Sequence, residues 1–390
     1  MRGALRIATL RGIPIRVHYS LLLLLPLLAV LMSRQFASEA VTGGVPAERV
    51  LGVPLLWGLG LAVALFLSVL LHELAHSFYA RSKGGQVSDI TLLIIGGVSR
   101  ITRMPEGSRH EALMALAGPA TSLGLGALFL AAAVPLKHAP SAALYEAVAY
   151  LGGLNLVLGL FNLVPAFPMD GGRILRALLT GRLGHLRATQ VAGTIGKGFA
   201  LFFAFVGLFG VPGLSRGINP VLLLIAVFVY LGADSESRQV LMQSLLNRVR
   251  VGELMVARTA AVDAGDSLVD VAMRMRAEQR RTLPVVEDGR VVGLVTLATV
   301  RQVPPFQRLR VRAREAALPV PPLTPESTAW EALKEMGQRR LTLLPVMRDG
   351  ALVGTITQDD LIRRLELREL EDTHLHGPWD LGPPGRESPT

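Results

Sequence analysis

The chain has no cysteine among its 390 residues. That excludes disulfides and thiolate-held metal, so any metal must be bound by His, Asp or Glu. Charge is also scarce: 18% of residues are charged against 51% hydrophobic, and the mean hydropathy is +0.44. This balance belongs to membrane proteins rather than to soluble domains. Acidic residues number 30 against 40 Lys and Arg, a formal net charge of +10. In so apolar a chain that excess signals basic cytoplasmic loops facing anionic lipid, and no nucleic-acid partner is expected.

What the chain has in quantity is long apolar runs. SerLeuLeuLeuLeuLeuProLeuLeuAlaValLeuMet (20–32) follows a lead that carries Arg2, Arg6, Arg11 and Arg16. A cleaved signal peptide would look similar, but the basic lead is long and IleProIleArgValHis (13–18) alternates like a strand. A retained first span from about Val17 to Met32 is therefore expected. Five more follow at about 53–80, 112–134, 147–163, 195–208 and 220–231, several short enough to require tilt or burial. Lys and Arg cluster in every second connection: four before the first span, five in 81–110 and four in 171–194. The intervening connections hold two (33–50), one (135–146) and one (209–219). Six spans in the cell (inner) membrane with both termini cytoplasmic satisfy the positive-inside rule.

LeuHisGluLeuAlaHis (71–76) closes the second apolar run. On a helix His72 and His76 project from one face about a turn apart, so two imidazole nitrogens can share one Zn2+ while Glu73 takes a proton from water. The competing reading is a His pair satisfied by hydrogen bonds, but ionisable groups are costly in an apolar helix and mark function there. AsnLeuValProAlaPheProMetAspGlyGlyArg (162–173) ends the fourth span. Pro165 and Pro168 break the helix, Gly171 and Gly172 free the backbone, and Asp170 is offered from the broken end. Spans two and four both run inward, so His72, His76 and Asp170 can meet at one metal with a fourth position left for water. Asp170 can instead cap the helix that follows. ThrLeuLeuIleIleGlyGlyValSerArgIle (91–101) is β-rich and too short to cross, either a hairpin near the metal at membrane depth or an ordinary cytoplasmic hairpin. AlaGlyProAlaThrSer (117–122) suits close helix packing. Asn155 and Asn162 can hold helices together, and Asn162 can also reach a substrate carbonyl or an oxyanion.

His72-Glu73-x-x-His76 together with Asn162-x-x-Pro165-x-x-Pro168-x-Asp170-Gly171 resembles the site-2 protease family (M50) of intramembrane zinc metalloproteases. Gly96-Gly97, AlaGlyPro and the early IleProIleArgValHis match as well, so the resemblance covers about residues 1–235. It implies zinc held by His72, His76 and Asp170, with Glu73 activating water. It further implies that Gly96, Gly97 and Asn162 hold an unwound segment of a membrane-anchored substrate, of the anti-sigma-factor kind, in regulated intramembrane proteolysis. The metzincin extension is missing, because Ser82 stands where its third His is expected.

Composition turns soluble at AspSerGluSerArgGln (234–239), and 236–250 reads as a linker. LeuProValValGluAspGlyArgValValGlyLeuValThr (283–296) then recurs as LeuProValMetArgAspGlyAlaLeuValGlyThrIleThr (344–357), an offset of 61. Each copy reads as helix, strand, Asp-Gly turn and strand. The pair resembles tandem CBS domains (251–304 and 311–366), which implies an adenine nucleotide between the repeats. The ribose-binding Thr-x-x-Asp pattern is met by Thr357 and Asp360, whereas the first copy has Thr296 and Thr299. A homodimerisation module without ligand is the alternative. Residues 371–390 are polar and Pro/Gly-rich, and a disordered tail containing His374 and His376 is expected. The expected fold is thus a polytopic α-helical membrane protein of about six transmembrane helices with a membrane-associated β-hairpin, plus a soluble α/β CBS pair. The competing function is a CBS-regulated channel or metal transporter. That reading calls for acidic or His residues in more than two spans and an internal repeat in the membrane part, and the sequence offers neither.

Overall fold

The computed structural model describes residues 3–42, 54–94, 96–138, 142–210, 217–257, 259–321 and 323–363. The expected tail at 371–390, the loop charges Arg2, Arg49 and Arg216, and the second repeat beyond residue 363 lie outside them. Two compact units meet in sequence at Val240 and Leu241.

The first unit runs β1 (Ala4–Leu10), β2 (Ile13–His18), α1 (Tyr19–Thr42), α2 (Pro54–Ser82), β3 (Gln86–Leu93), β4 (Gly96–Arg103), α3 (Ser108–Leu136), α4 (Ala142–Asn162), α5 (Asp170–Leu183), α6 (His185–Phe209) and α7 (Pro220–Asn247). Among the described residues five helices are long and apolar enough to cross a membrane: α2, α3, α4, α6 and α7. The apolar part of α1, Tyr19–Arg34, is shorter. Leu201, Phe205 and Phe209 on α6 and Val221 and Leu224 on α7 are exposed, as side chains solvated by lipid would be.

The hairpin expected at 91–101 is half of a four-stranded sheet in the order β1-β2-β3-β4. β2 lies parallel to β3, with Ile15 opposite Ile90 and Val17 opposite Leu92. Alternation explains the seating: Ile13 on β2 and Ile90 on β3 are buried against Leu74 of α2. Among the described residues β4 pairs only with β3 and forms one edge of the sheet, alongside α2.

The second unit holds a five-stranded sheet, β5-β6-β7-β9-β8, of β5 (Val262–Asp263), β6 (Thr282–Glu287), β7 (Arg290–Thr296), β8 (Leu343–Arg348) and β9 (Ala351–Thr357). Helices α8 (Leu268–Ala277) and α9 (Ala329–Arg339) precede the two hairpins at the same offset. The repeat extends to the cores: Val271, Met275, Leu283, Val285 and Val295 in one correspond to Ala332, Met336, Leu344, Val346 and Ile356 in the other. Both hairpins turn at Asp-Gly with positive φ at each residue (51° and 77° at Asp288 and Gly289, 54° and 85° at Asp349 and Gly350). These are the dihedrals a tight two-residue turn demands. Most of the stretch expected as a linker is helical, because α7 continues to Asn247. Leu246 and Val249 pack into the second unit's core.

Candidate metal centre

α2 presents His72 and His76 one turn apart with their rings edge to face, 4.8 Å between centroids. α5 brings the third group. The chain leaves α4 at Asn162, turns through the two prolines, and re-enters a helix at Asp170. Met169 is the capping residue and Asp170 the first helical one, so Asp170 does not serve as the N-cap. Gly171 and Gly172 allow that tight re-entry, since a Cβ on them would fall 2.2 Å from the Val164 carbonyl oxygen and 2.6 Å from the Phe167 nitrogen. Asp170 Oδ2 lies 3.2 Å from His72 Nε2 and 3.1 Å from His76 Nε2. All three residues are buried, with 5%, 7% and 8% exposure for His72, His76 and Asp170.

The second nitrogen of each ring fixes what the first can do. His76 Nδ1 is 2.6 Å from the carbonyl oxygen of Met114, which only accepts, so Nδ1 carries the proton and Nε2 of the neutral ring carries a lone pair. His72 Nδ1 lies 2.9 Å from Ser122 Oγ, whose hydroxyl can accept in the same sense. Two lone pairs and a carboxylate oxygen then converge, their atoms all within 4.8 Å of one another. With both rings neutral, such a cluster is repulsive unless a cation lies among them. In a tetrahedral zinc site with bonds of about 2.0–2.1 Å, neighbouring ligand atoms sit about 3.3 Å apart, close to the 3.2 and 3.1 Å from Asp170 to the two imidazoles. The donor set and its partners therefore fit a zinc ion with three protein ligands. Gly118 of α3 supplies the room, since a Cβ there would lie 2.2 Å from His76 Nε2 and 2.6 Å from His72 Nε2.

A cavity of about 450 Å³ opens on this cluster, and His72, Glu73, His76, Asp170, Gly96, Gly97 and Asn162 all line it. Every residue singled out in the first unit for metal, proton transfer or substrate is thus brought to one place. Glu73 points toward β4, where Ser99 Oγ donates to its Oε2. Gly97 permits that approach, because a Cβ would stand 2.4 Å from Glu73 Cγ. Asn162 Nδ2 donates to Leu158 O at 2.9 Å, and among the described residues its amide oxygen accepts no hydrogen bond.

Several contributors were not legible. Met114 O lies outside every motif, and Ser99 and Arg173 fall within quoted stretches that gave them no role, yet all three residues line the cavity. AlaGlyProAlaThrSer was read as helix packing, yet its Gly118 and Ser122 serve the His pair, and their spacing of four places them on one helical face. Asn155 stays outside the site. It is fully buried and ties α4 to α2 by donating to Ser68 Oγ at 3.1 Å. The helices also carry buried or part-buried charge, and two such groups are paired between helices. Arg176, counted as a loop charge, is buried on α5 between Glu111 of α3 and Glu236 of α7. Lys197 of α6 meets Asp234 of α7 at 2.7 Å.

In the second unit Thr357 and Asp360 are joined to each other. Asp360 Oδ2 accepts from the Thr357 amide at 2.9 Å and its hydroxyl at 2.7 Å, and the Asp360 amide donates back to Thr357 Oγ1 at 3.2 Å. Thr296 and Thr299 make the equivalent capping box in the first repeat. The ribose pattern is therefore a helix start in both copies, with a carboxylate in the second alone.

Comparison with known proteins agrees with this division. The model of peptidase family M50 matches residues 60–138 and 134–205, and that of the CBS domain matches 251–304 and 314–367. A zinc metalloprotease of Methanocaldococcus jannaschii is 30% identical over 373 residues, 95% of this chain and 99% of the relative. Rip3 of Mycobacterium tuberculosis is 34% identical over 395 residues, 97% of this chain and 98% of that one. Among solved structures, a site-2 protease from Methanocaldococcus jannaschii is 34% identical and covers 60% of this chain and 95% of its own, with a TM-score of 0.40. Identity at this level over nearly the full length of both relatives shows that the chain belongs to peptidase family M50, with a pair of CBS domains in its C-terminal part.

Proposed function

We propose that the protein is an intramembrane zinc metalloendopeptidase that hydrolyses peptide bonds in or near the transmembrane segments of membrane-anchored proteins. The observation that carries this reading is the buried convergence of His72, His76 and Asp170 beside Glu73, in a cavity inside an apolar helical unit. In that site His72, His76 and Asp170 would hold the zinc, their Nε2, Nε2 and Oδ2 atoms being the ones that converge. When bound, the ion supplies Lewis-acid polarisation of the scissile carbonyl and lowers the pKa of water toward neutrality. Met114 O and Ser122 keep both imidazoles aimed. Glu73, which is not a ligand, accepts the proton of the attacking water and passes it to the leaving amine.

A transmembrane helix shields its own peptide groups by hydrogen bonding, so the substrate segment must unwind before it is cut. β4 offers a free sheet edge at the cavity, and the segment adds to it as a further strand, past Gly96 and Gly97. Asn162 then presents its amide to the substrate backbone. The apolar helices are read as six spans in the inner membrane with both termini cytoplasmic, the orientation that loop charge favours. The CBS pair is read as a sensor of an adenine nucleotide held by Thr357 and Asp360, or as a homodimer contact. Substrates of the anti-sigma-factor kind would make the activity a step of regulated intramembrane proteolysis.

The test is Glu73→Gln in the full chain, co-expressed with a reporter that carries one transmembrane segment. The variant is expected to purify with about one zinc per chain, since all three ligands remain. Its cleavage of the reporter is expected to fall by at least about 100-fold, the scale of lost general-base catalysis. Undiminished cleavage, or a wild-type protein without stoichiometric zinc, would overturn the reading.

A further inference from the structure

The Glu73 carboxylate is held from a different element. Ser99 Oγ on β4 lies 2.5 Å from Glu73 Oε2 and 3.3 Å from the Glu73 carbonyl oxygen. Ser77, one turn further along α2 and fully buried, donates its own hydroxyl to Ser99 Oγ at 3.2 Å. That donation satisfies Ser99 as an acceptor and directs its single proton to the carboxylate. Hydroxyl-to-carboxylate bonds of this length are among the stronger hydrogen bonds in proteins, and a chain of donors reinforces them. The strand is matched to Glu73 at a second position. Side chains alternate along β4, so Gly97, Ser99 and Ile101 share one face, the face turned to Glu73, and all three line the cavity. Gly97 lets the strand approach Glu73, and Ser99, two residues on, supplies the bond. β4 is also the edge strand of its sheet.

We propose that Ser99 is the positioning residue for the general base, fixing the Glu73 carboxylate from the same strand that receives the substrate. Seating a substrate strand on β4 and aiming the base are then one event. A glutamate has three side-chain torsions to lose, and without the hydroxyl its carboxylate would sample orientations that cannot accept the proton. This inference rests on the reading of Glu73 as proton acceptor, and the experiment separates the two.

Ser99→Ala, Ser99→Thr and Glu73→Gln are prepared in the full chain, loaded with zinc, and assayed in detergent with the purified reporter that carries one transmembrane segment. Ser99→Ala is expected to keep its zinc and to lose about 10- to 100-fold in kcat with KM within about twofold, the range seen when groups that orient an active residue are removed. Ser99→Thr, which retains the hydroxyl, is expected to recover most of the loss. A second readout needs no substrate. With carbon-13 glutamate incorporated, the infrared carboxylate band that Glu73→Gln removes should shift in Ser99→Ala and stay in place in Ser99→Thr. Full kcat in Ser99→Ala alongside an inactive Glu73→Gln would overturn the positioning role and leave the base assignment standing. Cleavage by Glu73→Gln would overturn the base assignment itself. An unmoved infrared band would overturn the hydrogen bond on which the proposal stands.

Discussion

Gly118 measures how little slack the metal centre has. On helix propensity alone, alanine at a glycine inside a helix should stabilise by about 1 kcal/mol. Here the added methyl carbon would sit 2.2 Å from one ligand nitrogen and 2.6 Å from the other, and two imidazoles held at their far nitrogens have nowhere to retreat. Gly118→Ala is therefore expected to lose stoichiometric zinc while its helix content in detergent stays at the wild-type value, with the unfolding temperature falling to that of the metal-free wild type. Metal analysis beside circular dichroism checks this, and full zinc occupancy in the variant would contradict the geometry. The His pair and Asp170 were legible because their spacing and the proline-broken helix are local features. Gly118, Ser122 and Ser99 were not, because their value lies in neighbours 42 to 50 residues away on another helix or across from a sheet edge.

At the scale of elements, α5 is fixed twice: by Asp170 at its start and by Arg176 in its second turn. The Arg176 guanidinium bonds Glu111 on α3 and Glu236 on α7 and lies 5.2 Å over the Phe167 ring. Removing one partner of a buried ionic cluster strands the others, at a cost of about 3–5 kcal/mol. Arg176→Ala is accordingly expected to lower the unfolding temperature of the first unit in detergent. Replacing all three charges with apolar residues of similar volume should restore most of it, and a single variant with no thermal shift would show that the cluster is not structural. Arg176 was misread as a loop charge because a count of basic residues between apolar runs cannot see a helix that turns its arginine inward. The sheet was half legible for a related reason. Alternation betrayed β2 and the glycine pair betrayed the hairpin, but the parallel pairing of Ile15 with Ile90 joins segments that no local pattern links.

For the molecule as a whole, the repeat was the most readable feature, since one offset predicts strands, turns and core positions together. The end of the membrane part was less so: α7 turns polar near Asp234 without ceasing to be a helix, and a change of composition is not a change of structure. The second unit poses a test of its own. Asp360→Ala removes the N3 half of a capping box and leaves the Thr357 N-cap in place, so the unit should lose some stability, less than the roughly 1 kcal/mol of a lost N-cap, whatever it binds. Should the CBS pair hold an adenine nucleotide there, calorimetry with AMP and ATP is expected to show heat for the wild type and none for the variant. Equal heats would place the ligand elsewhere, and silence from both would leave the capping loss alone, as a dimerisation module predicts.

The hydrogen bond from His76 to the Met114 carbonyl has a consequence for genetics. The acceptor belongs to the main chain, so no codon change at position 114 can delete it, and the side chain there answers only for its volume. A saturation screen for lost proteolysis should mark positions 118 and 122 as intolerant and pass over 114 for residues of methionine's size. One of the two imidazole anchors would then be absent from any map of function drawn from substitutions.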